Sequence, residues 1–267
     1  MNPAIELFGR GVHALRRSGV CWGFAIVTFA VVNLAFWPSL EGSDALDELE
    51  GMSEGLLEAF GAQDIATPAG YLDGQLFALM LPLLLSGLAI AAVTAITSGD
   101  EDAGRLELLH ALPVSRRAVW LSRLASTLAV LGAVALVTAV VVALARGPFS
   151  LDEVSATRIV GATFACALLA AFHAIIAYAV GGLGGSRAAS VGAAVLVLVV
   201  GYVANFLLPL SVALAGMRKT SPWYWAIGEQ PVSDGIDGRW LVLLIVVSAA
   251  LVSVGTAAVE RRDIRSA

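Results

Sequence analysis

The stretch TSGDEDAGRLELLHALPVSRRAVWLSRL, from Thr97 to Leu124, holds four acidic residues and four arginines. Apolar runs flank it on both sides, over 75–97 and 119–145. The whole chain of 267 residues is 58% hydrophobic and 14% charged, which is far more apolar than an ordinary soluble domain. We therefore expect a polytopic membrane protein whose densest charge cluster lies in a connection between two membrane spans.

Six apolar segments are long enough to cross a bilayer, because about 20 helical residues span its hydrocarbon core. They run over about 20–40, 75–97, 119–145, 157–180, 188–210 and 240–259. A backbone in lipid must satisfy its hydrogen bonds internally, so these segments are expected to be helices. The predicted fold class is an all-α membrane protein, with residues 20–267 forming a transmembrane domain of six helices.

The distribution of basic residues predicts the orientation. An even number of spans places both termini on one side of the membrane. If that side is the cytoplasm, eleven basic residues lie on inner segments and five on outer ones, as the positive-inside rule requires. The connection 41–74 carries nine acidic residues and no basic residue. We expect a multi-pass protein of the cell membrane with cytoplasmic termini and an acidic extracytoplasmic loop at 41–74.

An apolar stripe precedes the first span. Ile5, Phe8, Val12 and Leu15 recur at spacings of three and four residues. This spacing predicts an amphipathic helix over residues 1–19 that lies in the membrane interface, with arginines available to lipid headgroups. A frayed terminus is the alternative.

Motifs for nucleotide, metal and nucleic-acid chemistry are missing from the sequence. There is no G-x-x-x-x-G-K-[ST] motif, and the only lysine is Lys219, so this chain is expected to be no enzyme and to bind no nucleotide itself. The three histidines are dispersed, and Cys21 and Cys166 are far apart, so no metal site or disulfide is expected. No basic patch indicates nucleic acid.

Three polar residues within the spans are candidate functional groups: Asn33, His173 and Asn205. Polar groups inside a membrane are costly and often functional. Because no acidic residue is expected at the depth of His173, we favour a hydrogen bond to a neighbouring helix over a proton relay, and the two asparagines are interpreted in the same way.

The charged connection itself predicts a docking helix. Ser98 or Asp100 can cap a helix whose first turn is acidic, Pro113 can end it, and Ser115 can cap the next span. The connection has roughly 20 residues, whereas two to eight suffice to reverse a chain. We therefore expect residues 98–117 to contact a partner outside the membrane. An inert interfacial helix is the alternative.

This segment resembles the acidic-x-x-x-Gly…Leu-Leu…Pro-x-Ser-Arg segment of ABC exporter permeases of the type-2 class, which have the type V fold. The residues that match are Asp100, Gly104, Glu107, Leu108, Leu109, Pro113, Ser115 and Arg116. Asp100 stands where Glu is usual, and Arg105 stands where a small Thr or Ser is usual. The segments SPWYW at 221–225 and VERRDI at 259–264 are also similar to the closing part of that family.

The resemblance implies that residues 98–117 form a cytoplasmic coupling helix in a cleft of a separate ABC ATPase subunit. The residues expected at this docking surface are Asp100, Glu101, Gly104, Arg105, Glu107, Leu108, Leu109, Pro113 and Arg116. Two ATPase copies would bind ATP and Mg, and this chain would hold no cofactor. Two permeases, as a homodimer or a heterodimer, would complete a twelve-span unit, and residues 210–230 would re-enter the outer leaflet as short helices.

The implied function is export of a hydrophobic or amphipathic substrate, such as a drug, an antibiotic, a lipid or a peptide. Two other interpretations stay open. The chain could be a non-transporting scaffold or sensor that recruits a cytoplasmic partner through the 98–117 helix. It could also be a membrane enzyme acting on lipid, for which the acidic run 100–102 is the nearest candidate metal-binding group.

Overall fold

The computed structural model describes residues 3–41, 43, 64–104, 115–211, 213–228 and 230–261. Six helical segments within them are long and apolar enough to cross a membrane. Numbered as spans 1 to 6, they are Ile5–Leu40, Pro68–Asp102, Arg116–Ala145, Ala156–Gly182, Arg187–Leu210 and Gly238–Arg261. The prediction of an all-α membrane protein with six spans is confirmed.

Two spans change their helical type along their length. Span 2 consists of a helix over Pro68–Leu72, a π-helical turn over Asp73–Phe77 and helices over Met80–Ile96 and Ser98–Asp102. Span 5 consists of a helix over Arg187–Tyr202, a π-helical turn over Val203–Leu207 and a 3-10 turn over Leu208–Leu210. Between spans 5 and 6 follow a 3-10 helix over Ala215–Thr220 and an α-helix over Pro222–Ile227. Both π-helical turns lie at the same end of the bundle.

The two ends of the bundle are defined by contacts between spans. At the proximal end, where spans 1 and 6 have their chain termini, Ser126 of span 3 donates a hydrogen bond to the carbonyl oxygen of Phe8 at 2.9 Å. At the distal end, the Tyr71 hydroxyl of span 2 donates to the carbonyl oxygen of Asn33 in span 1 at 2.8 Å. The connections after spans 2 and 4 are therefore proximal, and those after spans 1, 3 and 5 are distal.

Span 4 lies at the centre of the bundle and packs against spans 2, 3, 5 and 6. The most apolar windows of spans 2 and 4 are 67% buried, against 22% for spans 1 and 6. Small residues permit this central position. A Cβ atom added to Gly182 of span 4 would lie 2.4 Å from the carbonyl oxygen of Gly255 in span 6, so the two backbones touch. Outward-facing side chains such as Phe24, 75% exposed, are left for lipid.

Local capping explains where several helices begin. The Ser115 hydroxyl accepts a hydrogen bond from the backbone N–H of Ala118 at 3.2 Å, which confirms the predicted cap of span 3. The sequence predicts that span 2 begins at about residue 75, but in the structure it begins at Pro68. The reason is a local cap: Thr67 accepts from the backbone N–H of Gly70 at 3.1 Å, and Pro68 occupies the first helical position.

The first helix differs from the expectation. The sequence predicts a separate interfacial helix over residues 1–19, whereas the structure has one helix from Pro3 to Leu40 without a boundary near residue 20. No proline interrupts the chain between Pro3 and Pro38, so nothing in the backbone divides this helix. Of the apolar stripe, Leu15 is buried and Ile5 is 63% exposed. Residues 44–63, which make up most of the predicted acidic loop, lie outside the described residues.

Candidate functional site

The predicted docking segment begins with a five-residue helix, Ser98–Asp102, that follows the main helix of span 2. Its N-cap residue is Thr97, whose side chain makes no capping bond and donates instead to the carbonyl oxygen of Val93. The predicted cap by Ser98 or Asp100 is therefore wrong. Both residues lie inside the first turn of the short helix. The backbone leaves the helical conformation at Thr97 only, and the next helix begins at once with Ser98.

This short helix ends at Asp102. Ala103 is its C-cap, and Gly104 has a positive φ of 69°, a left-handed conformation that glycine adopts without strain. The helical run predicted from Ala103 to Leu112 lies, after Gly104, outside the described residues. Five of the predicted docking residues lie outside the described residues, namely Arg105, Glu107, Leu108, Leu109 and Pro113. Arg116 is the first residue of span 3, directly after the Ser115 cap.

Asp100 joins the end of span 2 to span 3. Its Oδ2 atom lies 2.7 Å from Nη1 of Arg123, which is about two turns into span 3. The side chains of Arg123 and Asp100 are 9% and 18% exposed, so the ion pair is largely removed from water. Charge-assisted hydrogen bonds of this length are among the stronger polar contacts in proteins. The ion pair therefore ties the short helix to span 3.

Asp102 joins the same helix to span 5. Its Oδ2 atom accepts a hydrogen bond from the backbone N–H of Arg187 at 2.8 Å, where the helix of span 5 begins. A carboxylate at this position satisfies a free N–H group and lies at the positive end of the helix dipole. The two segments are also in close contact, since a Cβ atom on Gly99 would lie 3.2 Å from Cδ of Arg187.

The four residues Asp100, Asp102, Arg123 and Arg187 form what we call the proximal junction. Span 1 adjoins it, because Leu7 and Arg10 line a cavity of about 190 Å³ together with Asp100 and Arg123. The acidic run 100–102 therefore has its outer two carboxylates directed at different spans. This arrangement does not resemble a metal-binding group, in which the carboxylates would point to a common centre.

The remaining predicted residue of the short helix, Glu101, is partly exposed between the two junction carboxylates. Sequence reasoning selected Asp100 and Glu101 for docking but assigned no partner within the bundle to any of the acids. Arg123 and Arg187 were missed as functional candidates, and Asp102 was considered only as part of a metal-binding run. A run of three acids ahead of a glycine indicates a charged turn, but it does not say which helices the carboxylates contact.

The three polar residues predicted inside the membrane each lie at a contact between two segments. His173 of span 4 is fully buried, and its Nδ1 atom lies 3.1 Å from the Ser86 hydroxyl of span 2. Asn205 lies in the π-helical turn of span 5 and donates from Nδ2 to the carbonyl oxygen of Gly228 at 3.2 Å. For Asn33, it is the backbone carbonyl that accepts the Tyr71 bond described above.

A buried carboxylate at the distal end was also missed. Asp73 is 0% exposed, and its two oxygens accept the backbone N–H groups of Val232 and Ser233, each at 2.8 Å. Arg158 of span 4 donates to the carbonyl oxygen of Val232 at 2.9 Å and also to that of Ser233. The sequence counts Asp73 among the acids of an external loop. In the structure, Asp73 fastens the connection between spans 5 and 6 to span 2, and Arg158 fastens it to span 4.

The SPWYW segment forms a short helix that packs back onto span 5. Ser221 caps it by accepting from the backbone N–H of Trp223 at 3.1 Å, and its own hydroxyl donates to the carbonyl oxygen of Gly201 at 2.6 Å. Trp223 is fully buried and donates from Nε1 to the carbonyl oxygen of Leu198 at 3.0 Å. Gly201 leaves room for this ring, since a Cβ atom there would lie 2.8 Å from it.

These features define a multi-pass helical membrane protein in which one short charged connection is bonded to two further spans. The family model described as ABC-2 family transporter protein matches residues 7–222, which is most of the chain. The chain belongs to this family and is an ABC-2 type permease, a membrane subunit of a transporter, as the resemblance of residues 97–124 implies. Among curated proteins, none matches this chain.

Proposed function

We propose that the chain is the transmembrane subunit of an ATP-driven exporter and performs no covalent chemistry itself. The observation that carries the proposal is the proximal junction, in which the residues at the start of the docking segment are bonded to spans 3 and 5. A helix that served only to reverse the chain would need no such bonds. A segment that receives a force from a partner and passes it to the spans does need them.

The proposed cycle begins on the partner. Two copies of an ABC ATPase subunit bind ATP and Mg and close on each other, which displaces residues 98–117. Asp100 passes the displacement to span 3 through Arg123, and Asp102 passes it to span 5 through the backbone of Arg187. Because the partner binds nucleotide differently in the two membrane conformations, the two equilibria are linked and the free energy of ATP hydrolysis drives the change.

The proposal places the proximal end, both termini and the docking segment in the cytoplasm. The arginines at that end support this orientation, namely Arg10, Arg16, Arg17, Arg116, Arg117 and Arg123. The chain would act in the cell membrane as a homodimer or as a heterodimer with a second permease. Its substrate would be a hydrophobic or amphipathic molecule such as a drug, an antibiotic, a lipid or a peptide, in keeping with the largely apolar bundle.

A pull-down with a matched control tests the docking surface. The tagged chain is co-expressed with an ABC ATPase from the same organism, and Leu109→Asp is compared with Leu183→Asp. Leu183 is 63% exposed and lies in the other proximal connection. We expect the ATPase to be recovered with the Leu183→Asp variant and not with the Leu109→Asp variant. Equal retention by both variants would contradict docking at 98–117, and a non-ATPase partner held through Leu109 would favour the scaffold interpretation.

A further inference from the structure

Two adjoining cavities lie at the distal end, between the SPWYW helix and the start of span 6. The larger, of about 450 Å³, is lined by Lys219, Arg239 and Leu243. The smaller, of about 190 Å³, is lined by Asp234, Gly235, Trp225, Ala226 and Gly228. Both share the side chains of Tyr224, Asp237 and Trp240. We call the two cavities together the distal pocket.

The shared wall of the distal pocket is aromatic and held in place. The ring centroids of Tyr224 and Trp240 are 5.3 Å apart with an interplanar angle of 75°, which is a favourable edge-to-face contact. The guanidinium of Arg218 lies 5.9 Å from the centroid of Tyr224. The helix that carries Tyr224 is fixed on span 5 by the buried ring of Trp223. The rings of this wall therefore have fixed positions before any ligand binds.

The charges of the distal pocket are divided between its two parts. The larger cavity contains two cationic side chains, Lys219 and Arg239, whereas the smaller contains the carboxylate of Asp234. Asp237 lies between them, and hydrogen bonds from Arg239 lower the pKa of Asp237, so it remains ionised at neutral pH. A phosphate suits the cationic part, and an ammonium group suits the part with carboxylates and ring faces. The complementary ligand is a zwitterion.

The position of the pocket indicates that this zwitterion belongs to a lipid. Trp240 is in the first turn of span 6, and Leu243 lies one turn further into this apolar helix. Tyr and Trp residues are typical of the depth at which headgroups lie. A ligand with its polar part among residues 219–239 therefore has its apolar part alongside the membrane-facing surface of span 6.

We propose that the distal pocket binds the amine–phosphate headgroup of an ethanolamine-type phospholipid from the adjoining leaflet. The phosphate contacts Lys219 and Arg239, and the ammonium group lies between Asp234 and the rings of Tyr224 and Trp240. This site is independent of the docking segment and does not require the chain to be an exporter.

Native mass spectrometry of the full chain in detergent tests the site. The chain is titrated with phosphatidylethanolamine and, separately, with phosphatidylglycerol of identical acyl chains. We expect phosphatidylethanolamine to bind about tenfold more tightly, the difference expected for one hydrogen-bonded charge. Equal affinities for the two lipids would overturn the proposal.

Two substitutions separate the parts of the pocket. Asp234→Asn should lower the affinity for phosphatidylethanolamine about tenfold and leave the affinity for phosphatidylglycerol unchanged. Lys219→Gln should lower the affinity for both lipids. Asp152→Asn is the matched control, because Asp152 is an exposed acid in another distal connection. An effect of Asp234→Asn no larger than that of Asp152→Asn would contradict the assignment. Competition by soluble phosphoethanolamine at equal concentration would contradict a lipid as the ligand.

Discussion

The two ends of the bundle hold their connections by different contacts. At the proximal end, the side chain of Asp100 is 18% exposed and Asp102 is exposed, and a carboxylate oxygen of each bonds to a neighbouring span. At the distal end, Asp73, Asn205 and Trp223 are all fully buried and bond to main-chain groups. Leaving buried polar groups without partners is costly, whereas a hydrogen bond of an exposed side chain such as Asp102 contributes little to stability. The distal contacts are therefore expected to contribute more to stability than the bond of Asp102.

The π-helical turns reinforce this difference. Asp73 begins the π-helical turn of span 2, and Asn205 lies within that of span 5. A π-helical turn interrupts the regular backbone ladder and often occurs at functional positions. Here both turns bring a buried polar side chain to the same connection, residues 228–233. The following predictions test whether the distal contacts matter more for stability than the proximal ones.

The largest effect is expected for Asp73→Ala. The substitution removes the acceptor from the buried backbone N–H of Val232 and from the partly buried one of Ser233, which should lower the free energy of unfolding by about 3 kcal/mol. Unfolding of the purified chain by denaturant titration in detergent measures this change. Asp152→Ala, at an exposed distal position, is the control and should change stability by less than about 0.5 kcal/mol. Equal effects of the two substitutions would show that the distal clamp does not stabilise the fold.

A smaller effect is expected for Trp223→Phe. The phenyl ring keeps most of the buried contact but loses the hydrogen bond to the carbonyl oxygen of Leu198, at a cost of about 1–2 kcal/mol. Trp225→Phe provides the comparison, because Trp225 is only partly buried and donates to the carbonyl oxygen of Lys219 at 2.8 Å. The same denaturant titration should show the larger loss for Trp223. A larger loss for Trp225 would mean that the SPWYW helix is not held through its buried ring.

The smallest effect on stability is expected for Asp102→Ala, which removes an acceptor from the backbone N–H of Arg187 at the start of span 5 and leaves the Ser186 cap in place. Loss of one such hydrogen bond costs about 1 kcal/mol. Asp102→Asn should retain most of the stability, because the amide oxygen can still accept from the backbone N–H of Arg187. Thermal unfolding of the three proteins side by side measures the difference. If Asp102→Ala cost as much as Asp73→Ala, the two ends would not differ as described.

Features that depend on nearby residues could be predicted from the sequence. The six spans follow from apolar composition over about 20 residues, and the Ser115 cap follows from its position ahead of a helical run. The interfacial helix over 1–19 was not found as a separate element. Amphipathic spacing describes which side of a helix is apolar, but it does not say where the helix ends.

Contacts between distant residues could not be predicted. Asp73 and Val232 are 159 residues apart, and Asp102 and Arg187 are 85 residues apart. An acidic residue near a span end is usually solvated, so composition alone assigns Asp73 to an external loop and Asp102 to its own helix. Only the packing of span 2 beside spans 4 and 5 brings these carboxylates to their partners.

We predict that the proximal junction passes movement of the docking segment to spans 3 and 5. Spin labels at Ala125 and Ala188, exposed positions on the proximal parts of spans 3 and 5, report the distance between them. The complex with the ATPase is measured without nucleotide and after trapping with ADP and vanadate, in a chain lacking Cys21 and Cys166. We predict that trapping changes this distance in the otherwise unchanged chain and in Asp152→Asn. In the double variant Arg123→Ala, Asp102→Ala, which removes the partners of both junction bonds, the ATPase should remain bound while the change is lost. An identical change in the double variant would show that the junction does not pass the movement on.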